Sequence, residues 1–315
     1  MWDKLAIARL KFQAVAEEEI DFPTFAGGAL RGGFGAVLKR VCCVVRDKEC
    51  RDCLLISRCI YYYIFEGGPA KEGRIYRTLS SIPRPFVLEP PLGLNSLQAG
   101  EPFSFHLILF GKAIEHLPFL ILTINELGRV GMGRGRGRFR LSSVSAYDGF
   151  GSLHPIYLPA SDRMEGKPPI ITFQDILRDA SGRVGLKEVT LELLTPIRVK
   201  TGGHLTAHLN FPVLIGHLIR RQAQLFYFHC DQEPELDFKG LINSAKEIRT
   251  ARSDTHWYEW RRYSGRQKSE MYLGGLIGTI TYSGSLDEFL PFLILGQYTH
   301  VGKNATFGLG QYRLL

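Results

Sequence analysis

Residues 296–310 read GQYTHVGKNATFGLG and lead straight into QYRLL at 311–315. The stretch holds four glycines, one histidine and one lysine, so its backbone N–H groups can come close to phosphate oxygens that a Cβ would keep away. Lys303 adds a mobile positive charge, and His300 a group that exchanges protons near neutral pH. On this reading Gly302, Gly308 and Gly310 cradle a phosphodiester while His300 and Lys303 act on it. A glycine-rich turn ahead of an edge strand fits the same residues, and the competing role for His300 is a buried brace beneath the loop.

Outward from the loop, the preceding segments fall into an order. LKEVTLELLTPIRVK (186–200) alternates as a strand, NFPVLIGHLIRRQAQLFYF (210–228) has helical spacing, MYLGGLIGTITYSG (271–284) makes strand segments around glycines, and LDEFLPFLIL (286–295) is a short helix. The first half runs the same way. LAIARLKFQA (5–14) begins as a strand, and in FAGGALRGGFGAVLKRVCCVV (25–45) Leu30, Phe34, Val37, Leu38 and Val41 recur at helical spacing. IYYYIFEG (60–67) and FSFHLILFG (103–111) read as strands, LPFLILTINELG (117–128) as a helix, and VGMGRGRGRFRLSSV (130–144) as a glycine-rich loop entering a last strand. The order strand, helix, strands, helix, glycine loop, strand thus occurs twice without a repeat of residue identity. It fits tandem βαββαβ, ferredoxin-like units of an α+β protein, a plan shared with RNA-recognition modules. The expected division is a first domain at 1–150 with a cysteine-rich insertion at 42–59, a linker at 151–185 containing one short helix at FQDILRD, and a second domain at 186–315.

The chain carries 39 Lys and Arg against 31 Asp and Glu, a net charge of +8, which favours a polyanionic partner. Its longest apolar runs are too short to span a bilayer, and MWDKLAIARLKF places charges where a signal peptide needs an apolar run. The expectation is a cytoplasmic protein without a membrane partner. In the first glycine loop, Arg134, Arg136 and Arg138 alternate with glycines, and guanidinium groups there suit phosphates or bases of a nucleic acid. Arg31 lies off the apolar stripe of its helix. Arg198 and Lys200 alternate onto one face of a strand where a backbone can run, although a solvated edge strand explains them as well.

These features together resemble the Cas6-type CRISPR RNA-processing endoribonucleases of the RAMP superfamily. The resemblance rests on THVGKNATFGLGQYRL (299–314), WYEWRRYSGRQ (257–267), GGLIG (274–278), TPIRVK (195–200), LRGGFG (30–35) and CRDCLLISRCIYYYIFE (50–66). It implies metal-independent cleavage of precursor CRISPR RNA within its repeats, by attack of a ribose 2′-hydroxyl on the adjacent phosphate to leave a 2′,3′-cyclic phosphate. The partners it implies are CRISPR repeat RNA and other CRISPR effector subunits, and a non-catalytic RNA-holding subunit of the same superfamily is the alternative. The family often places a histidine in or near the first helix, and 25–41 contains none.

Such chemistry needs a base, an acid and positive charge on the transition state. His300 is the first candidate for proton transfer and His256, in the aromatic and basic cluster, the second. Tyr263 is a neutral donor, with Arg261 and Arg266 as RNA contacts; a junction whose aromatics belong to the core is the alternative reading of that cluster. No cofactor is needed for the cleavage. Cys43, Cys50, Cys53 and Cys59 have the spacing C-x6-C-x2-C-x5-C, for which a structural zinc ion, reduced thiols and a disulfide all remain open.

Overall fold

Residues of Ile7–Ala16 (β1) alternate between burial and partial exposure, as a strand covered by helices on one face requires. In the computed structural model, residues 2–22, 25–46, 48–68, 76, 79–161, 163–259, 261–264 and 269–315 are described, with the backbone alone for 261–264 and 269–272. After β1 come helix α1 (Gly27–Cys42), β2 (Phe86–Glu89), β3 (Pro102–Phe110), α2 (Leu117–Val130) and β4 (Phe139–Tyr147). The sheet order β2-β3-β1-β4 is antiparallel throughout. It is the arrangement of a βαββαβ unit, with Leu10 opposite Leu107 and Phe12 opposite Phe105 and Val144. Leu10, Phe12, Leu30, Phe34, Leu107 and Leu127 make its core beneath α1 and α2.

The second unit comprises β7 (Glu188–Ile197), α4 (Phe211–His229), α5 (Phe238–Ala245), β8 (Arg249–Tyr258), β9 (Gly275–Ser283), α6 (Leu290–Thr299) and β10 (Tyr312–Leu314), in the order β8-β9-β7-β10. The protein is therefore a tandem ferredoxin-like α+β structure. Between the units, Leu153–Leu158 (β5) and Arg163–Met164 (β6) extend the first sheet beyond β4, and α3 (Phe173–Ser181) packs on the second core. Residues 151–185, read as a linker with one short helix at FQDILRD, thus hold two short strands besides that helix. Their Gly, Pro and Ser content marks turns between short elements, and Thr172 caps α3 through a reciprocal pair with Asp175.

A correction concerns 60–67, which is not a strand. Tyr62–Glu66 forms a π-helical turn. Tyr61 stacks on Phe65 with ring centroids 5.7 Å apart and its hydroxyl donates to Glu66 Oε1 at 2.8 Å, contacts that only a helical spacing brings together. Aromatic and β-branched content here reflects packing against α1 and β2 rather than a sheet.

The domains share apolar surface. Trp2, fully buried, meets Phe173, Phe226 and Phe292 edge-on, while Ile7, Val87, Ile108 and Phe110, on the face of the first sheet away from α1 and α2, join the second core. That corner of the first sheet is where the polar residues described next are enclosed. No helix among the described residues is long and apolar enough to cross a membrane.

Candidate nucleic-acid interface

Helix α6 stops at Thr299 because His300 takes φ +56°, a left-handed conformation costly for any residue with a Cβ. The chain then folds back on β7. Lys303 N–H donates to Arg198 O at 2.8 Å, Gly310 N–H to Pro196 O at 3.1 Å, and Thr195 Oγ1 to Gly308 O at 2.7 Å. Gly308, at φ +86°, lies against β2 so closely that an added Cβ would meet Leu88 O at 2.6 Å. Gly308 and Gly310 are thus buried, with their N–H groups bonded inward to Ala305 O and Pro196 O. Their glycines serve close backbone packing, a correction to the expected phosphate cradle. Gly302 is half-buried and forms a bridge with Arg198. Lys303 alone in this loop offers an exposed charge.

His300 is fully buried. Its Nδ1 faces Leu309 O at 3.1 Å and its Nε2 faces Glu89 Oε1 at 3.1 Å, so it braces the loop and does not reach solvent. The expectation of acid–base work by His300 is corrected on that ground. Arg31 is likewise enclosed: its guanidinium lies 4.3 Å from the ring centroids of both Phe65 and Phe307, and its Nε donates to Thr306 Oγ1 at 2.9 Å. With both faces covered it ties α1 to the loop tip and cannot stack on a base.

Arg198 is 8% exposed and donates through Nη1 to Gly274 O at 2.5 Å; burial lowers its pKa, against the opposing charge of Glu259. Lys200, expected on the same face, is exposed. Buried Arg198 nevertheless organises the site, since its carbonyl holds the Lys303 loop while its guanidinium holds the start of β9. Trp257 lies beside Gly274, and β8, an edge strand, carries Arg249, Arg252, His256, Trp257 and Tyr258 exposed. The backbone continues into a hairpin, Arg261–Ser264 with Ser269–Tyr272. The side chains of Arg261 and Tyr263, and Arg266 altogether, lie outside the described residues. In the first glycine loop, Arg134 pairs with Asp21 at 3.9 Å and Arg138 with Glu18 at 2.7 Å, whereas Arg136 has no ion pair among the described residues. Lys303→Ala is expected to weaken RNA binding and to reduce the slope of log affinity against log salt by about one, read from binding titrations at several salt concentrations.

The sequence reading missed Glu89, Arg9 and His106. Glu89 is 2% exposed at the end of a wholly buried strand. Its Oε2 accepts from Arg9 Nη2 at 3.0 Å and lies 3.4 Å from His106 Nδ1. Burial alone raises a carboxyl pKa, but the His300 hydrogen bond and the charges of Arg9, His300 and His106 outweigh it and hold Glu89 at about 2. Burial pushes His106 down to about 4 against the pull of Glu89, so above that pH His106 is neutral and Arg9 is the cation on the Glu89 carboxylate. One carboxylate in an otherwise apolar FVLE strand was the available signal.

Cys43, Cys50, Cys53 and Cys59 do not fit a zinc ion. Among the described residues no three His, Cys, Asp or Glu side chains converge as metal ligands. Cys43 Sγ donates to Val45 O at 2.9 Å, and Cys50 and Cys59 pack on the first core. Of the three readings left open for these cysteines, the structural zinc ion is the one that these contacts do not support.

Two family matches cover most of the chain. Residues 5–169 match the family AF_1859_N, an N-terminal domain, and residues 191–312 match the CRISPR-associated endoribonuclease Cas6. The chain belongs to the AF_1859_N family, whose model spans just over half of it. The chain is 26% identical over 321 residues to an uncharacterized protein of Archaeoglobus fulgidus, covering 98% of each. Its fold is similar to that of a Cas6 product complex, with a TM-score of 0.60 at 15% identity over 98% of this chain and 100% of that one. Cas6 of Thermus thermophilus gives 0.56 at 15% identity over 99% of each. A partial Cas6-RT-Cas1–Cas2 complex gives 0.61 at 16% identity over 99% of this chain and 46% of that one. The match over residues 191–312 supports a CRISPR-associated endoribonuclease at the coarse level.

Proposed function

We propose that the protein binds CRISPR repeat RNA along the β8 edge and the Lys303 loop and cleaves it without a metal ion. What supports this reading is Arg198, whose carbonyl holds the Lys303 loop and whose guanidinium holds Gly274, the residue against which Trp257 of the exposed basic β8 edge lies. A base takes the 2′-hydroxyl proton, O2′ forms a bond to the adjacent phosphorus, the bond from phosphorus to O5′ breaks, and an acid protonates O5′. The products are a 2′,3′-cyclic phosphate and a 5′-hydroxyl. Lys303 is the cation for the negative charge gathered in the transition state. His256, exposed on β8, takes the proton-carrying role that buried His300 cannot, with Tyr263 as a neutral donor. Other CRISPR effector subunits are the protein partners of this reading.

Incubated with repeat RNA in EDTA, the purified protein is expected to cleave at one position, and a 2′-deoxy substitution at the scissile nucleotide to abolish the cut. Cleavage of the deoxy substrate would rule out the transesterification. A second reading, a non-catalytic RNA-holding subunit, draws on the burial of His300 and the absence of histidine from 25–41. Tight binding without cleavage in the same assay selects it.

A further inference from the structure

The two oxygens of the buried Glu89 carboxylate are divided between the domains. Oε2 accepts from Arg9 Nη2 at 3.0 Å and faces His106 Nδ1 at 3.4 Å. Arg9 stands on β1 and His106 on β3, directly opposite Glu89 in the register of β2 and β3. Oε1 faces His300 Nε2 at 3.1 Å, across 211 positions of sequence. A carboxylate alone would satisfy its needs within the first domain through Arg9 and His106. The contact to His300 has a different consequence, because His300 is the residue whose left-handed backbone turns the chain out of α6 and into the loop.

We infer that Glu89 is a positioning residue, which fixes the base of the second-domain loop on the first sheet and thereby sets where Lys303 stands. Two polar tethers from the first domain reach this loop. Glu89 holds it at His300, and Arg31 holds it at Thr306. Lys303 lies between these points in sequence, with its own N–H bonded to Arg198 O. Both ring nitrogens of His300 face partners, Leu309 O and the Glu89 carboxylate. The carboxylate is the one partner of this ring that the first domain supplies. Without it, a buried ring loses its partner at the one non-glycine residue that must stay left-handed for α6 to end where it does. The activity arm of the test rests on the RNA-cleaving reading above, and the exchange arm does not.

The experiment compares wild type, Glu89→Gln and Tyr63→Phe by amide hydrogen exchange and by single-turnover cleavage of repeat RNA. Glu89→Gln keeps the side-chain shape, which guards against simple unfolding. Its expected result is exchange in residues 301–310 faster by about 100-fold, with β3 and β1 unchanged. Cleavage is expected to slow by roughly 100-fold through misplacement of Lys303, with a loss of RNA affinity no larger than that of Lys303→Ala. Tyr63→Phe removes a different contact between the domains, the Tyr63 hydroxyl to His229 Nδ1 at 3.2 Å, and is expected to leave loop exchange as in wild type. Wild-type loop exchange in Glu89→Gln overturns the inference. So does an equal rise in Tyr63→Phe, or faster exchange spread over both domains, since either makes Glu89 a general support of the interface. If the wild-type protein cleaves no repeat RNA, the proposed function fails, and the exchange result still decides the role of Glu89.

Discussion

Acidified from pH 7 to pH 4, the protein is expected to lose on the order of 6 kcal/mol of folding stability, from two buried histidines alone. Burial pushes His229 down to about 4, outweighing the hydrogen bond to Pro83 O that favours its charge. It pushes His106 to about 4 as well. Both folded-state values lie below the ordinary 6.5, so the unfolded chain takes up protons first as the pH falls. The stability these rings contribute is complete above pH 6.5 and is lost as the pH falls through 4, at about 3 kcal/mol each. Protonation also removes the acceptor that His229 Nδ1 presents to the Tyr63 hydroxyl. Glu89 extends the decline. Its folded value of about 2 lies below the ordinary 4.5, and its contribution, present above pH 4.5, is lost as the pH falls through 2. Urea unfolding at pH 7, 5.5 and 4 measures the effect, and His229→Gln is expected to flatten the curve by about half. A midpoint independent of pH over this range would contradict the burial argument.

Cleavage by His256→Ala is expected to be slower than wild type by about 10² to 10⁴ in single-turnover assays, with little change in RNA affinity. The expectation follows from exposure rather than from spacing. His300 has both ring nitrogens committed inside the protein, and His229 is buried between Pro83 O and Tyr63. His256 is exposed on an edge strand beside the hairpin that carries Arg261 and Tyr263. An unchanged rate would remove His256 from the chemistry and leave Tyr263→Phe as the next variant to measure.

Several elements could be read without coordinates, because their information is local. FSFHLILFG alternates and is β3; Leu30, Phe34, Val37 and Leu38 recur at helical spacing and face inward from α1. The repeated order of such segments was enough for tandem ferredoxin-like units, since short connections leave βαββαβ elements few ways to pack. Residues 60–67 misled the same reasoning, as aromatic content does not say whether a ring packs from a strand or from a helical turn.

The site divides in a similar way. Sequence alone determined that this is a basic, two-unit α+β protein with a glycine-rich loop before its last strand, because periodicity, charge and glycine content need no partner to be seen. Tertiary structure decided what each polar residue does there. It put His300 and Arg198 inside, enclosed Arg31 between two rings, left Lys303 and His256 outside, and brought Glu89 to a histidine 211 positions away. Burial and pairing are properties of neighbours, and these neighbours come from different domains of the chain.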